Sequence, residues 1–382
     1  MKSHIRNADY TKEYNRKQIL RFLVSTPLSR ADLARKTGLT RAAISIITDE
    51  LLQSGLIYEM PSVSAQKGRS PTPLAIHNDA YYAIGVYISR DRCSVGLVNI
   101  KGEILRLYEH TTETLHSYEQ TMALIVSDIV QMQQQFLAEN DKILGVGFSC
   151  PGPVDIAGAR ILTPPGFEAW HDKRPGDYIT QCTGLQTYVE NNAYTLANYE
   201  KRYGNARNIE NFVLLLIDTG IGGGIVSKGK LFKGANGFSG EIGHTGIAFD
   251  GKPCPCGHRG CLERYASIPD LLAEYGLPLS AWQDVVKRAH QGEREALEML
   301  QTEVKYLSAG IVSTLNLLNA EAVVLDGSIV EVFDLIAEPL EREINVRVIT
   351  RNHAKVRIIA ADCRREHHMA AAANIQFDKF FE

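Results

Sequence analysis

Three cysteines fall within eight residues, in the run Cys254-Pro255-Cys256-Gly257-His258-Arg259-Gly260-Cys261. Thiols at that spacing, joined by Pro and Gly that let a loop fold back on itself, read as metal ligands rather than as a disulfide framework. An imidazole stands nearby, either His244 upstream or His258 inside the loop. Three thiolates and one imidazole fill a tetrahedron, so the chemistry expected is a closed, structural zinc site with no open position for catalysis. The other cysteines, at 93, 150, 182 and 363, are scattered, mostly among apolar residues, and read as reduced buried thiols.

A second group of residues suits the reading of DNA bases. Arg41 follows Thr40 at the start of a segment with helical apolar spacing. An arginine there can reach base edges, Ser45 can hydrogen-bond, and an outward Ile46 can meet a thymine methyl. The elements that would position them are legible. Asn15–Val24 predicts a helix with Ile19, Leu20 and Leu23 on one face, broken by Pro27. Ser29 caps a second helix, with Asp32 three residues on, and Gly38 ends it in a left-handed turn. Thr40 caps a third helix to about Gln53, with Ile44, Ile47, Thr48 and Leu51 inward and Ala42, Ser45, Ile46 and Asp49 outward. Two helices around a tight Gly turn make a helix-turn-helix, and the DNA-facing set is Ser29, Thr40, Arg41, Ala42, Ser45 and Ile46. Leu56–Glu59 and Thr72–Ile76 then read as two strands of a wing. Its loop carries Lys67, Gly68 and Arg69 for a narrow minor groove. Taken alone, that loop reads equally well as a basic linker.

Charge supports a division of labour. The 382-residue chain has a net charge of -3, yet residues 1–77 hold 12 Lys/Arg against 6 Asp/Glu. A basic head on an acidic body directs double-stranded DNA to the head alone. No stretch has the length of a membrane span and the N-terminus lacks a signal-peptide core, so a cytoplasmic protein without membrane insertion is expected.

The body reads as α/β. Tyr82–Leu97 is a hairpin, a third strand follows Gly102, a helix covers Ser117–Asn140 and a strand covers Ile143–Phe148. A second set opens at Phe212–Ile217 with the glycine loop Asp218-Thr219-Gly220-Ile221-Gly222-Gly223-Gly224. It continues through the helical stretch Leu297–Leu318 to the strand Val323–Asp326.

With Pro151-Gly152-Pro153-Val154-Asp155, Gly237-Phe238-Ser239-Gly240-Glu241-Ile242-Gly243-His244 and the cysteine run ending in Leu262-Glu263, the chain resembles the ROK family (repressors, open reading frames and sugar kinases) over nearly its whole length. The basic head places the likeness in the repressor branch, of the xylose and N-acetylglucosamine type. The resemblance implies a winged helix-turn-helix over 1–77 followed by an actin-like, ribonuclease-H-like pair of α/β lobes. Those lobes are expected over 80–195 and 196–365, with a terminal helix at 366–382 returning to the first. It also favours His244 over His258 as the fourth zinc ligand, beside Cys254, Cys256 and Cys261.

The resemblance further implies a sugar site formed by Asn191, Asn192, Glu241, His244 and Glu263. The family's kinases have an Asp where this chain has Asn192, and that Asp takes the proton from the attacking hydroxyl. A carboxamide can hydrogen-bond a hydroxyl but cannot accept its proton. Phosphate-loop glycines of the kinases are replaced by Ser89 and Arg90, and a Gly-Gly pair by Asp326-Gly327. The expectation is a non-enzymatic, sugar-responsive repressor of carbohydrate genes acting as a homo-oligomer, a dimer or tetramer; a protein partner is a further option. The alternative is a sugar kinase that carries a DNA-binding head.

Overall fold

The structure is a computed structural model and describes residues 8–61, 72–111, 117–136, 142–362 and 366–382. The wing-loop residues Lys67, Gly68 and Arg69 lie outside these.

The head comprises α1 (Ala8–Ser25), β1 (Leu28–Ser29), α2 (Arg30–Thr37), α3 (Arg41–Gln53), β2 (Ile57–Glu59) and β3 (Pro73–Ile76). The first helix starts at Ala8 rather than Asn15. Its opening turns, with Tyr10 to Glu13 exposed, carry no apolar periodicity to reveal them. Ser29 and Asp32 cap α2 reciprocally: the hydroxyl accepts the Asp32 N–H at 3.2 Å and the carboxylate accepts the Ser29 N–H at 3.2 Å. Gly38, at φ 72°, turns the chain into Thr40, whose hydroxyl accepts the Ala43 N–H and caps α3. Ile44, Ile47 and Leu51 are buried in one cluster with Ile19, Leu20, Leu23 and Leu33. The three short strands form an antiparallel sheet ordered β1-β3-β2.

The body starts with β4 (Tyr82–Ile88), β5 (Arg92–Asn99), β6 (Ile104–Thr111), α4 (Tyr118–Gln135), β7 (Ile143–Cys150), β8 (Val154–Asp155), β9 (Arg160–Ile161), α5 (Pro175–Thr183) and β10 (Thr187–Asn191). Helix α6 (Asn192–Arg202) crosses to the second half, so the boundary expected at 195/196 falls inside a helix. Then come β11 (Phe212–Ile217), β12 (Ile221–Ser227), β13 (Lys230–Leu231), α7 (Glu263–Ala266), α8 (Ile268–Glu274) and α9 (Trp282–His290). The chain ends with α10 (Arg294–Leu318), β14 (Ala322–Asp326), α11 (Phe333–Arg347), β15 (Arg357–Ala360) and α12 (His367–Phe381).

Two five-stranded sheets share one plan, β10-β7-β4-β5-β6 and β13-β12-β11-β14-β15. In each, three antiparallel strands run in sequence, and two parallel strands are then added beside the first by crossovers. The central strands are apolar on both faces because both faces are covered. On β4, Tyr82, Ile84, Val86 and Ile88 pack towards α4, while Ala83 and Tyr87 join the inner layer that holds α6 and α12. The far face of the second sheet packs on α8 to α11.

The inner layer is unusually tight at α12. A Cβ at Gly147 would lie 1.9 Å from the Ala372 carbonyl oxygen, and one at Gly85 would lie 2.0 Å from that of Met369. Only glycine lets the helix backbone rest directly on the strands. At its other end α12 meets the head. The Phe380 ring stands 4.7 Å from that of Tyr81, Gln18 donates to the Phe381 carbonyl, and Phe377 and Phe381 share one apolar cluster with Ile19, Leu20 and Leu23. From the turn after β5, the Lys101 ammonium donates to the Leu23 and Val24 carbonyls at 3.3 and 2.7 Å, closing the C-terminus of α1. Among the described residues no helix is long and apolar enough to cross a membrane.

Candidate functional site

The strand ends of the two sheets face each other across a cleft. Its walls come from the β4–β5 turn (Ser89, Arg90), Gly152 after β7, the β10–α6 junction, the glycine turn between β11 and β12, and the segments around Glu241 and Glu263. All five residues expected at a sugar, Asn191, Asn192, Glu241, His244 and Glu263, line it.

Their side chains are not equivalent. Asn191 caps α6 through its oxygen, which accepts the Ala193 N–H at 2.8 Å. Its nitrogen lies over Gly152, where a Cβ would stand 2.1 Å away; the same point is 3.5 Å from a Glu241 carboxyl oxygen. An amide donor and a carboxyl thus flank one gap, a pairing suited to a hydroxyl that donates and accepts. Burial pushes the Glu241 carboxyl above the usual range, and the nearby Glu263 adds to this. Glu263 accepts the Ile221 N–H at 2.8 Å and so holds the glycine turn in place.

Asn192 lines the same cleft but turns part of its amide into the wall. It is 5% exposed, its oxygen accepts from the Ser149 hydroxyl at 2.6 Å, and its nitrogen donates to the Ile88 carbonyl at 3.0 Å. Both ends of the amide are already bonded within the wall.

Arg90 shows what sequence reasoning missed. Two of its guanidinium nitrogens donate to the Pro165 carbonyl. The third lies 2.5 Å from the point where a Gly220 Cβ would be, so the side chain leans across the cleft to the glycine turn. The available signal was a cation in the short turn between two apolar strands.

At one edge of the cleft, ligand atoms of His244, Cys254, Cys256 and Cys261 lie within 4.8 Å of one another. Cys254 Sγ is 3.7 Å from His244 Nδ1, and Cys256 Sγ is 3.7 Å from Cys261 Sγ. Metal–sulfur bonds of about 2.3 Å at the tetrahedral angle place sulfurs about 3.7–3.8 Å apart, so these edges fit a four-coordinate ion. Burial and then the neighbouring thiols push Cys261 up to about 12, so a set of thiolates here needs a cation to hold it. The cluster can hold a metal. His258, the rival donor, is exposed and contributes its backbone carbonyl to the Cys254 N–H at 2.9 Å. Nδ1 of His244 faces the sulfurs, which leaves Nε2 as the nitrogen that can face the cleft.

On the head, Thr40, Arg41, Ala42 and Ile46 are exposed on one face of α3 and Ser45 is half-buried. Ile46 is 60% exposed. Arg41 has no carboxylate partner among the described residues. Ser29 leaves the expected contact set: it is 5% exposed, and its hydroxyl, besides capping α2, donates to Asp32 at 2.6 Å. Arg30, missed earlier, reaches Thr48, Asp49 and Glu59 at 3.1, 2.8 and 3.0 Å and ties α2 to α3 and β2.

Two lobes on one strand plan, with a polar cleft between their strand ends and a thiol cluster at its edge, define a two-lobed α/β ligand-binding protein. The ROK family profile matches residues 83–378, and the chain belongs to the ROK family. It is 31% identical to the xylose repressor of Bacillus spizizenii over 347 residues, 90% of each chain. Among solved structures, a ROK family transcriptional regulator described as a homologue of the E. coli MLC protein superposes with a TM-score of 0.80 at 26% identity, covering 97% of this chain and 98% of that one. A ROK family glucokinase from Streptomyces griseus, in complex with glucose and AMPPNP, shares the fold: TM-score 0.67, 24% identity, 77% of this chain and 98% of that one.

Proposed function

We propose that this chain is a sugar-responsive transcriptional repressor of carbohydrate genes that binds operator DNA through its head and a sugar through its cleft. The likeness to a xylose repressor and to a ROK transcriptional regulator over about nine-tenths of the chain or more supports this. The observation that carries it is Asn192. The residue at the proton-accepting position is a carboxamide bonded at both ends to the protein, so the cleft can hold a hydroxyl but has no base there to activate it.

In this reading residues 1–77 are a winged helix-turn-helix, and Thr40, Arg41, Ala42, Ser45 and Ile46 enter a major groove. Lys67, Gly68 and Arg69, outside the described residues, are the further positions proposed to contact DNA. The body, two lobes joined through α6, is the actin-like sensor. Asn191, Glu241, Glu263 and Nε2 of His244 contact the sugar. Zinc, held by His244, Cys254, Cys256 and Cys261, supplies a structural cross-link that fixes His244 at the cleft edge. The protein acts in the cytoplasm as a homodimer, whose two heads fit half-sites one helical turn or a multiple of it apart.

Two measurements test this. Arg41→Ala is expected to weaken operator binding roughly 10-fold or more at fixed salt and to leave sugar binding unchanged, as for loss of one base-reading arginine. Unaltered DNA affinity would remove α3 from the groove. The purified protein is also expected to give a sugar-induced rise in melting temperature with one member of a panel of D-xylose, D-glucose and N-acetylglucosamine, and no sugar-dependent ATP consumption with any. Sustained turnover would establish the kinase alternative instead.

A further inference from the structure

Directly behind the cleft lies a buried charged relay that the sugar site does not use. His368, at the start of α12, is fully buried. The Arg92 guanidinium of β5 donates to its Nδ1 at 2.8 Å. Since an arginine can only donate, Nδ1 is the acceptor and the ring proton sits on Nε2. That Nε2–H points at Asp326 Oδ1, 3.1 Å away at the end of β14 in the second lobe. The other Asp326 oxygen and the Arg92 Nε are buried and have no hydrogen-bond partner among the described residues. The imidazole is therefore the bonded link between the half-buried Arg92 guanidinium of one lobe and the buried Asp326 carboxylate of the other.

Both ends of this relay touch the cleft. The Tyr87 ring, which lines the cleft, is 4.9 Å from the His368 ring and lies under Arg92. Asp218, in the glycine turn, accepts from Ser328, two residues after Asp326. The far end of α12 holds the head. With α12 resting on glycines of the first sheet, and with Lys101 closing α1, the head and first lobe are packed to move as one body. The second lobe meets that body along α6, where Leu196 and Ala197 share an apolar cluster with Phe212, Leu214 and Val324, and at the charged contact Asp326–His368 behind the cleft.

We infer that His368 is the positioning residue that fixes the angle between the lobes and thereby couples occupancy of the cleft to the placement of the head. This rests on the sugar-sensor reading above. A shift between the lobes on sugar binding must lengthen or re-form a bond at His368, and the head follows the first lobe. Without the imidazole the two lobes lose this register, and each site binds its ligand independently of the other.

The test uses the full chain, with duplexes that the wild type selects from a random library and D-xylose, D-glucose or N-acetylglucosamine as the sugar. The quantity read is the ratio of DNA affinities without and with sugar. The wild type is expected to show a ratio of about 10-fold or more, and His368→Leu one below about 2-fold, while still binding DNA and sugar separately. His368→Gln is expected to restore the ratio, because an amide also presents one acceptor and one donor. A structural role alone would lower both affinities together and leave the ratio unchanged. If His368→Leu does not fold, Arg92→Met, which keeps the Asp326 bond and removes the first-lobe donor, is expected to show the same loss. A wild-type ratio in His368→Leu or in Arg92→Met overturns the inference alone. If no sugar of the panel binds the wild type or alters its DNA affinity, the sugar-sensor reading fails and takes the inference with it.

Discussion

Gly147→Ala is expected to yield little folded protein, or to lower the melting temperature by on the order of 10 °C or more. The added Cβ would meet the Ala372 carbonyl oxygen at 1.9 Å, its carbon at 2.8 Å and the Ile375 Cβ at 3.2 Å. Two of these are backbone atoms of α12, so no rotamer change relieves the contact. The helix must lift by more than an ångström, yet it is held along its length. A Cβ at Gly85 would already overlap the Met369 carbonyl and one at Gly96 the Met369 side chain, so the same stretch is pressed onto three strands. Lifting it opens the layer that buries Met369 to Phe377, and voids between close-packed elements cost several kcal/mol. Gly276→Ala is the control. Gly276 has φ 68° with nothing within 4 Å of its Cβ position, so the cost is left-handed strain alone, roughly 1–2 kcal/mol. Thermal melts followed by circular dichroism compare the two directly. Equal melting temperatures for both variants would mean that α12 does not lie on the sheet as described.

Cys261→Ser is the second substitution with a large expected effect. The zinc we propose is expected at one equivalent per chain by elemental analysis, and this variant is expected to lose it. Cys261 is fully buried, and its neighbour Leu262 packs in the second-lobe core. Structural zinc contributes roughly 10–16 kcal/mol in small domains that fold only around it. Here the surrounding lobe has its own core, so a part of that, several kcal/mol, is the expected loss, together with weakened sugar binding as His244 loses its anchor. A chelator is expected to reproduce the effect on the wild type. Metal-free wild-type protein that melts and binds sugar like the purified form would refute the site.

How far the sequence could carry this depended on whether a feature is local. Ser29–Asp32, Gly38 and Thr40 each act on residues within three or four positions, and the caps they predict are present. The thiol cluster was legible for the same reason, except for its imidazole. His244 lies ten residues before Cys254, and only the resemblance separated it from His258. What stayed hidden is what the fold brings together from afar. Nothing near Asn192 announces that Ser149 and Ile88 will take both ends of its amide. Nothing near Arg90 predicts Pro165 and Gly220. The glycines at 85, 96 and 147 sit in apolar strands without a turn signal, because what they accommodate is a helix more than two hundred residues later.

The apolar cluster that runs unbroken from α1 through Phe377 and Phe381 makes the reader and the sensor a poor pair for exchange. Cutting the chain after Ile76 would bare the flank of α1 that rests on Phe380 and strip Lys101 from its end. A chimera that grafts this head onto another sensor therefore has to import a matching terminal helix as well. Operator choice and effector choice in this protein are inherited together, since the seam between them is made of core.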